Sequence, residues 1–288
     1  KRNRKTLQRH LQLVELLEVP QLVDACARNG FHDEALELAS FVNSLERKHI
    51  LATEVQADMN KQYSGSSSVI QSIVDDVQHT LMELRKQLFL SLTDSCSLPR
   101  QLYFLGVLRR LDGLLVDRQL PLGLRDGSEE LSNSQISAKE YRSHIIQSTE
   151  TRLQMDFLEC RSIWLEKLLA SAQGGGSTPN KGDGLGHYGR AIEIIEVHRT
   201  AWFEIITHFS ALFQDAVGSV PSISIISSWS WTQYRRFTAD LFNVVSKIED
   251  GPSIKSILEQ CLLFASRMSS LGCDFTEDIV SQFGQIVL

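Results

Sequence analysis

No run of 18 apolar residues occurs in this 288-residue chain, so no segment has the length that a membrane-spanning helix needs. Cys-x-x-Cys is absent. The five cysteines, Cys26, Cys96, Cys160, Cys261 and Cys273, are odd in number and irregular in spacing. That is how reduced, structural thiols are used in a cytosolic protein, not a disulfide framework or a zinc clip. There is no Asn-x-Ser/Thr sequon and no visible signal peptide, which fits the same compartment. An excess of basic residues is lacking too. The net charge is −6 and the pI near 5.8, which argues against a protein wrapped around nucleic acid. Proline is scarce at six, and many of the 17 glycines sit in two loops, leaving long uninterrupted stretches for helices.

What is present is helical periodicity. In the segment 66–92, Ile70, Val74, Val77, Leu81, Leu84 and Leu88 follow one another in steps of four and three. This is the seam of a coiled coil or bundle helix. Neither proline nor glycine interrupts it, and Ser66, Ser67 and Ser68 offer capping hydroxyls at its start. Such a helix is about 40 Å long and needs neighbours along its whole seam. The hydrophobic content of 42% is enough for a large core.

The remaining segments fit the same class. Leu7, Leu11, Val14 and Leu17 begin a helix behind the basic residues Lys1, Arg2, Arg4 and Lys5. Cations oppose the dipole of a true helix start, and the chain opens at Lys1 without Met, so an internal fragment with helix continuing upstream is expected. A solvated basic end is the plainer alternative. Pro20 is expected to open a second helix, with Leu22, Val23, Cys26 and Ala27 on one face, and Asn29-Gly30 to stop it. A third helix follows from His32, with Ala35, Leu38, Phe41, Val42 and Leu45 on one side, completing a hairpin. A polar loop is expected at 59–68. Pro99 opens a further helix with Leu102, Leu105, Leu108 and Leu111 aligned.

Residues 113–133 read as a loop with Pro121, Gly123 and Gly127, and 138–172 as a second long helix striped by Leu153, Phe157, Cys160, Trp164 and Leu168. Residues 173–186 form a Gly-rich linker. The next helix carries Ala191, Ile195, His198, Trp202, Ile205, Phe209 and Leu212, widened by Phe203, Ile206 and Phe213. Ser222, Ile223, Ser224 and Ile225 alternate as a short strand would, but the serine content of 220–228 suits a loop, which is the expectation. Three helices close the chain at 229–249, 253–271 and 275–288. The architecture expected is all-α, an elongated rod of stacked antiparallel helical bundles. Its domains are 1–120 with the hairpin and the seam helix, a loop at 121–137, and 138–288 interrupted by the linker at 173–186.

Chemical motifs are weak. Gly184, Gly186 and Gly189 spell Gly-x-Gly-x-x-Gly, but a linker precedes them where a dinucleotide site requires a strand. Gly-x-Ser-x-Gly, the phosphate-loop signature and His-Glu-x-x-His are all absent. His198 and His208 are ten apart on one helix, too far to share a metal, and His198 reads as a hydrogen-bonded core or interface histidine. Cys261 and Cys273 read as small buried hydrophobes. Arg109-Arg110 and Arg235-Arg236 suit anionic lipid or an acidic partner helix, though short basic pairs are more often solvated surface. Trp202, Trp229 and Trp231 read as interface anchors or, more often in bundles, as core. No catalytic, cofactor or metal residue is assigned, and no enzyme activity is expected.

Several stretches carry a family likeness. One runs Leu16-Leu17-Glu18-Val19-Pro20-Gln21-Leu22-Val23-Asp24, then Asn29-Gly30, then Glu34-Ala35-Leu36-Glu37-Leu38. Others are Val69-Ile70-Gln71-Ser72-Ile73-Val74 and Leu102-Tyr103-Phe104-Leu105-Gly106-Val107-Leu108-Arg109-Arg110. Further on come Phe157-Leu158-Glu159-Cys160-Arg161 with Trp164-Leu165, then Val197-His198-Arg199, then Gln260-Cys261 and Gly272-Cys273-Asp274-Phe275. In this order they resemble the family of eighth subunits of the conserved oligomeric Golgi (COG) complex, a vesicle-tethering assembly.

The resemblance implies a structural subunit of a Golgi tether that acts in intra-Golgi retrograde transport and sits peripherally at the cytosolic face of Golgi membranes. It implies sibling subunits as partners, chiefly the sixth, fifth, seventh and first, and SNAREs, small GTPases and coat proteins through the complex. It supplies no cofactor and no catalytic residue. Leu7, Leu11 and Val14 are the candidate stripe for sibling contacts, with a core helix of the first bundle as the plainer reading. A helical scaffold subunit of another membrane-trafficking or coat assembly is the alternative function.

Overall fold

The computed structural model describes residues 2–57, 65–119, 138–174, 184–213 and 220–287. Among them are nine α-helices and no strand, so the fold is all-α. In chain order they are α1 (Arg2–Arg28), α2 (His32–Ala57), α3 (Gly65–Leu92), α4 (Leu98–Gln119), α5 (Ala138–Gly174), α6 (Gly184–Leu212), α7 (Val220–Val245), α8 (Gly251–Ser269) and α9 (Thr276–Val287). They fall into two compact units. The first comprises Lys1–Ser91 with Pro99–Glu150, the second Leu92–Leu98 with Thr151–Leu288.

In the first unit α1 and α2 pack as a hairpin. Gly30 takes φ +81°, the left-handed conformation that glycine adopts without Cβ strain. The Phe31 amide then donates to the Cys26 carbonyl at 2.9 Å and the Gly30 amide to that of Ala27 at 3.3 Å, a Schellman stop. The expected Asn29-Gly30 turn is therefore present. Pro20, however, does not open a helix. It lies inside α1, because the buried face of Val19, Val23 and Ala27 runs straight across it. Packing along that face outweighs the backbone hydrogen bond that a proline removes and the clash of its ring with the carbonyl one turn back.

The α3 seam is buried as its period requires. Val74, Val77, Leu81, Leu84 and Leu88 are at most 2% exposed, and Ile70 is half-buried. In α4, Leu105, Leu108 and Leu111 are fully buried but Leu102 is exposed. Steps of three fall short of a full turn, so each drifts about 60° round the helix and the first of four leaves the face. The loop expected from Gly113 is instead helix to Gln119. Contacts from neighbours hold that turn: Asp112 pairs with Arg85 at 3.0 Å, and the Leu114 carbonyl accepts from Asn43 at 3.4 Å. The loop residues at 121–137 and 59–64 lie outside the described residues, and α3 already starts at Gly65.

In the second unit α6 packs on α7 and α8, and α8 on α9. All seven residues of the α6 stripe, Ala191 to Leu212, are buried. The Gly-x-Gly-x-x-Gly glycines are part of α6, not of a linker, and of 173–186 the stretch 175–183 lies outside the described residues. Residues 220–228 are helix, not loop. Ser222 there is buried and donates to Gln154 Oε1 of α5 at 3.0 Å, so a serine read as a loop former instead joins two helices. Asp250 caps α8 by accepting the Ser253 amide at 3.1 Å. Gly272, at φ +86°, ends that helix with a second Schellman stop.

Candidate interaction surfaces

The candidate stripe lies on α1. Its buried side, Val19, Val23 and Ala27, faces α2. At 100° per residue, position 14 stands nearly opposite that side, and Val14 and Leu17 are 39% and 53% exposed. Positions 7 and 11 precede position 14 on the same helical register, and their side chains lie outside the described residues. On α2, Phe41 is 52% exposed, although Ala35 and Val42 of its expected face are buried. The hairpin therefore leaves apolar surface on both of its helices uncovered by the described residues of its own unit. Phe31, exposed beside the Gly30 turn, extends it. The α1 signal was legible as a stripe; the position of Phe31 after the turn carried no period to read.

The basic pairs divide. Arg109 makes a two-pronged contact with Glu150, its Nη2 at 2.7 Å, and Arg110 pairs with Asp33. Both cations are thus engaged within the first unit, which leaves less charge for lipid than the sequence suggested. Arg236 pairs with Glu166 across α5 and α7, and Arg235 is exposed. Of the tryptophans, Trp202 is core, Trp229 is half-buried and Trp231 is 46% exposed.

His198 is core, as expected, but it makes no hydrogen bond among the described residues. Neither ring nitrogen has a partner among the described residues, and Phe237 and Trp202 lie edge-on at 5.0 and 6.3 Å. Burial pulls its imidazole from 6.5 down to about 4. The unfolded chain therefore binds this proton first. The stabilising contribution is complete above pH 6.5 and drains as pH falls from 6.5 towards 4, in total about 3 kcal/mol. Urea midpoints at pH 7.5 and 4.5 check this: His198→Leu should lose clearly less than the unsubstituted chain across that interval, and equal losses would refute it.

Cys261 and Cys273 are buried, and burial pushes the Cys261 thiol up to about 12, which keeps it protonated and unreactive. Among the described residues no group of three or more His, Cys, Asp or Glu side chains is placed to hold a metal, and no helix is long and apolar enough to cross a membrane. Arg161 is fully buried, and its Nη1 donates to the carbonyls of Leu92 and Asp94 at 3.2 and 3.0 Å. The available signal was its place between Phe157 and Trp164, inside an apolar stripe.

The family model of the Dor1-like family matches residues 1–125 and 140–288. Conserved oligomeric Golgi complex subunit 8 of Bos taurus is 30% identical over 99% of this chain and 38% of its own length. The Mus musculus protein of that name is 29% identical over 99% and 37%. The Dictyostelium discoideum protein is 23% identical over 91% of this chain and 27% of its own length. The chain thus spans under two fifths of the curated relatives it matches. No solved structure matches it.

Proposed function

Since the chain belongs to the Dor1-like family, we propose that it is part of a structural subunit of a Golgi vesicle-tethering complex, serving intra-Golgi retrograde transport. The observation that carries this reading is the match along 99% of the chain to relatives named as subunit 8 of that complex. The all-α fold supports it, since packed helices present long side faces for other helices. The role is mechanical: a helical body fixes the spacing between the subunits it binds, and no catalytic step is assigned to it. The partners are sibling subunits, the sixth, fifth, seventh and first, and through the complex SNAREs, small GTPases and coat proteins. The complex sits at the cytosolic face of Golgi membranes as a peripheral assembly.

Assembly runs through α1, with Leu7, Leu11 and Val14 as the contact stripe. Exposed Val14 and Leu17 support this assignment, because apolar surface that a chain leaves open is stabilised only when a partner covers it. Each leucine buried against a sibling contributes about 2 kcal/mol. Changing Leu7, Leu11 and Val14 together to Asp in the full-length protein should cut recovery of sibling subunits at least about tenfold at unchanged helicity. A folded variant that captures its siblings normally removes the stripe from the interface. An unsubstituted protein that captures none overturns the subunit reading itself.

A further inference from the structure

We propose that the channel between α5 and α7 in the second unit is a docking groove for one amphipathic helix of a protein partner. That helix carries a basic side chain on the edge facing α5. The channel is open and encloses about 460 Å³ between Met155, Leu158 and Glu159 on one side and Ile225, Trp229 and Thr232 on the other. Its polar floor is already satisfied. Ser162 Oγ accepts the Trp229 indole N–H at 2.8 Å and the Gln233 amide at 2.9 Å, and donates to the Leu158 carbonyl at 2.9 Å. A hydroxyl so engaged has nothing left for a small polar ligand, so the floor suits an apolar ridge.

The rim fits a helix in particular. Ser224, Ser228 and Thr232 recur every four residues along α7, and all three are exposed. Short side chains in such a row let a second helix axis come close in ridge-into-groove packing. From Ser224 to Arg236 the row runs about 18 Å, a little over three turns. On α5, Met155 and Ile163 are 51% and 39% exposed, apolar surface that the described residues of the second unit leave open.

Charge complementarity sets the kind of helix. Glu166 is engaged by Arg236 at one end of the channel, while Glu159 is exposed and has no partner among the described residues. A cation on the incoming helix pairs with Glu159. Arg235, on α7 outside the residues that line the channel, is exposed and has no partner among the described residues, and it calls for an acidic residue on the other edge. Opposed charges on two edges set the direction in which the helix lies, as edge charges do in coiled coils. Trp231, three residues after Ser228, is 46% exposed and held edge-on by Phe275 at 5.0 Å and Tyr234 at 5.6 Å. A rigid, exposed indole beside a channel is a preset anchor.

This proposal rests on the reading of the chain as an assembly subunit. It is tested in the purified assembly formed by the full-length protein with the photo-crosslinker p-benzoylphenylalanine in place of Ser228. The expected product joins position 228 to another chain, within a peptide of helical apolar period that carries Lys or Arg. Ser228→Trp, which fills the channel from an exposed position, and Glu159→Arg should each lower recovery of that chain about tenfold at unchanged helicity. A crosslink only within the same chain, or to an acidic or non-helical peptide, overturns the groove. So does unchanged recovery with both variants. An intact assembly without a crosslink from position 228 overturns the groove alone. A full-length protein that purifies without any partner overturns the subunit reading with it.

Discussion

Replacing Trp202 by alanine is expected to destabilise the second unit by about 5 kcal/mol, the upper end of what truncating a buried tryptophan costs. Trp202 is fully buried and sits where α6, α7, α8 and the start of α9 converge. Its indole meets Phe264 at 5.5 Å, Phe275 at 5.6 Å and Trp229 at 6.1 Å. Alanine removes all three contacts and leaves a void among helices that are each held by the same ring. A loss of this size is a third or more of the stability of an ordinary domain, which typically totals about 5–15 kcal/mol. Urea unfolding followed by far-ultraviolet circular dichroism reads it directly.

Trp202→Phe separates packing from polarity. The indole N–H has no hydrogen-bond partner among the described residues. An unpaired buried donor is itself costly, so its removal offsets part of the lost volume, and the phenylalanine variant should fall only about 2 kcal/mol. If the alanine variant unfolds at the same urea concentration as the unsubstituted chain, the second unit is not organised around this ring.

The periodic helices were legible in the sequence. The α3 seam and the α6 stripe have steps of three and four that keep one face, and those faces are the buried ones. The hairpin stop at Gly30 was legible for a different reason, since asparagine followed by glycine favours the left-handed turn by local sterics alone. The misses share one cause. Pro20, Gly113 and the serines of 220–228 are local helix breakers, and each was overruled by contacts from elsewhere in the chain. Val19, Val23 and Ala27 carry α1 past the proline; Arg85 and Asn43 hold α4 around Gly113; Gln154 binds Ser222. An interior glycine costs about 1 kcal/mol and an interior proline about 3 kcal/mol relative to alanine, which a few such contacts together offset.

The surfaces were less legible than the core. An outward apolar stripe such as Val14 and Leu17 has the same period as an inward one, so only the packed structure shows which side of α1 meets α2. The channel between α5 and α7 left no trace in the sequence at all, because it is built from two helices whose neighbourhood no local pattern records. Arg161 was hidden in the opposite way. A lone charged residue inside an apolar stripe breaks the pattern without saying where it points, and this one is fully buried.

Arg161→Ala is expected to cost about 4 kcal/mol, in the range for removing one partner from a buried charged network. Four interactions converge on the guanidinium. Its Nη1 donates to the Leu92 and Asp94 carbonyls, at the end of α3 and in the turn Leu92–Leu98 that leads into α4. Its Cζ lies 3.8 Å from the Trp164 ring centroid, and Glu204 approaches Nη2 at 3.6 Å. Burial pulls its pKa below the ordinary value, which Glu204 opposes, but a guanidinium remains charged throughout.

The turn 92–98 is thus pinned to α5 by a planar donor, with Lys167 adding bonds to Thr93 Oγ1 at 2.9 Å and Asp94 at 2.7 Å. Alanine leaves the buried Leu92 carbonyl without a donor and opens a void beside Trp164. Methionine refills the void but not the hydrogen bonds, so Arg161→Met should lose about half as much. Hydrogen exchange locates the effect: in the alanine variant, protection should fall first in peptides covering 92–98 and the facing turns of α5, while α8 and α9 keep theirs. A methionine variant as stable as the unsubstituted chain would show that Arg161 acts by volume alone and that the carbonyl clamp contributes nothing.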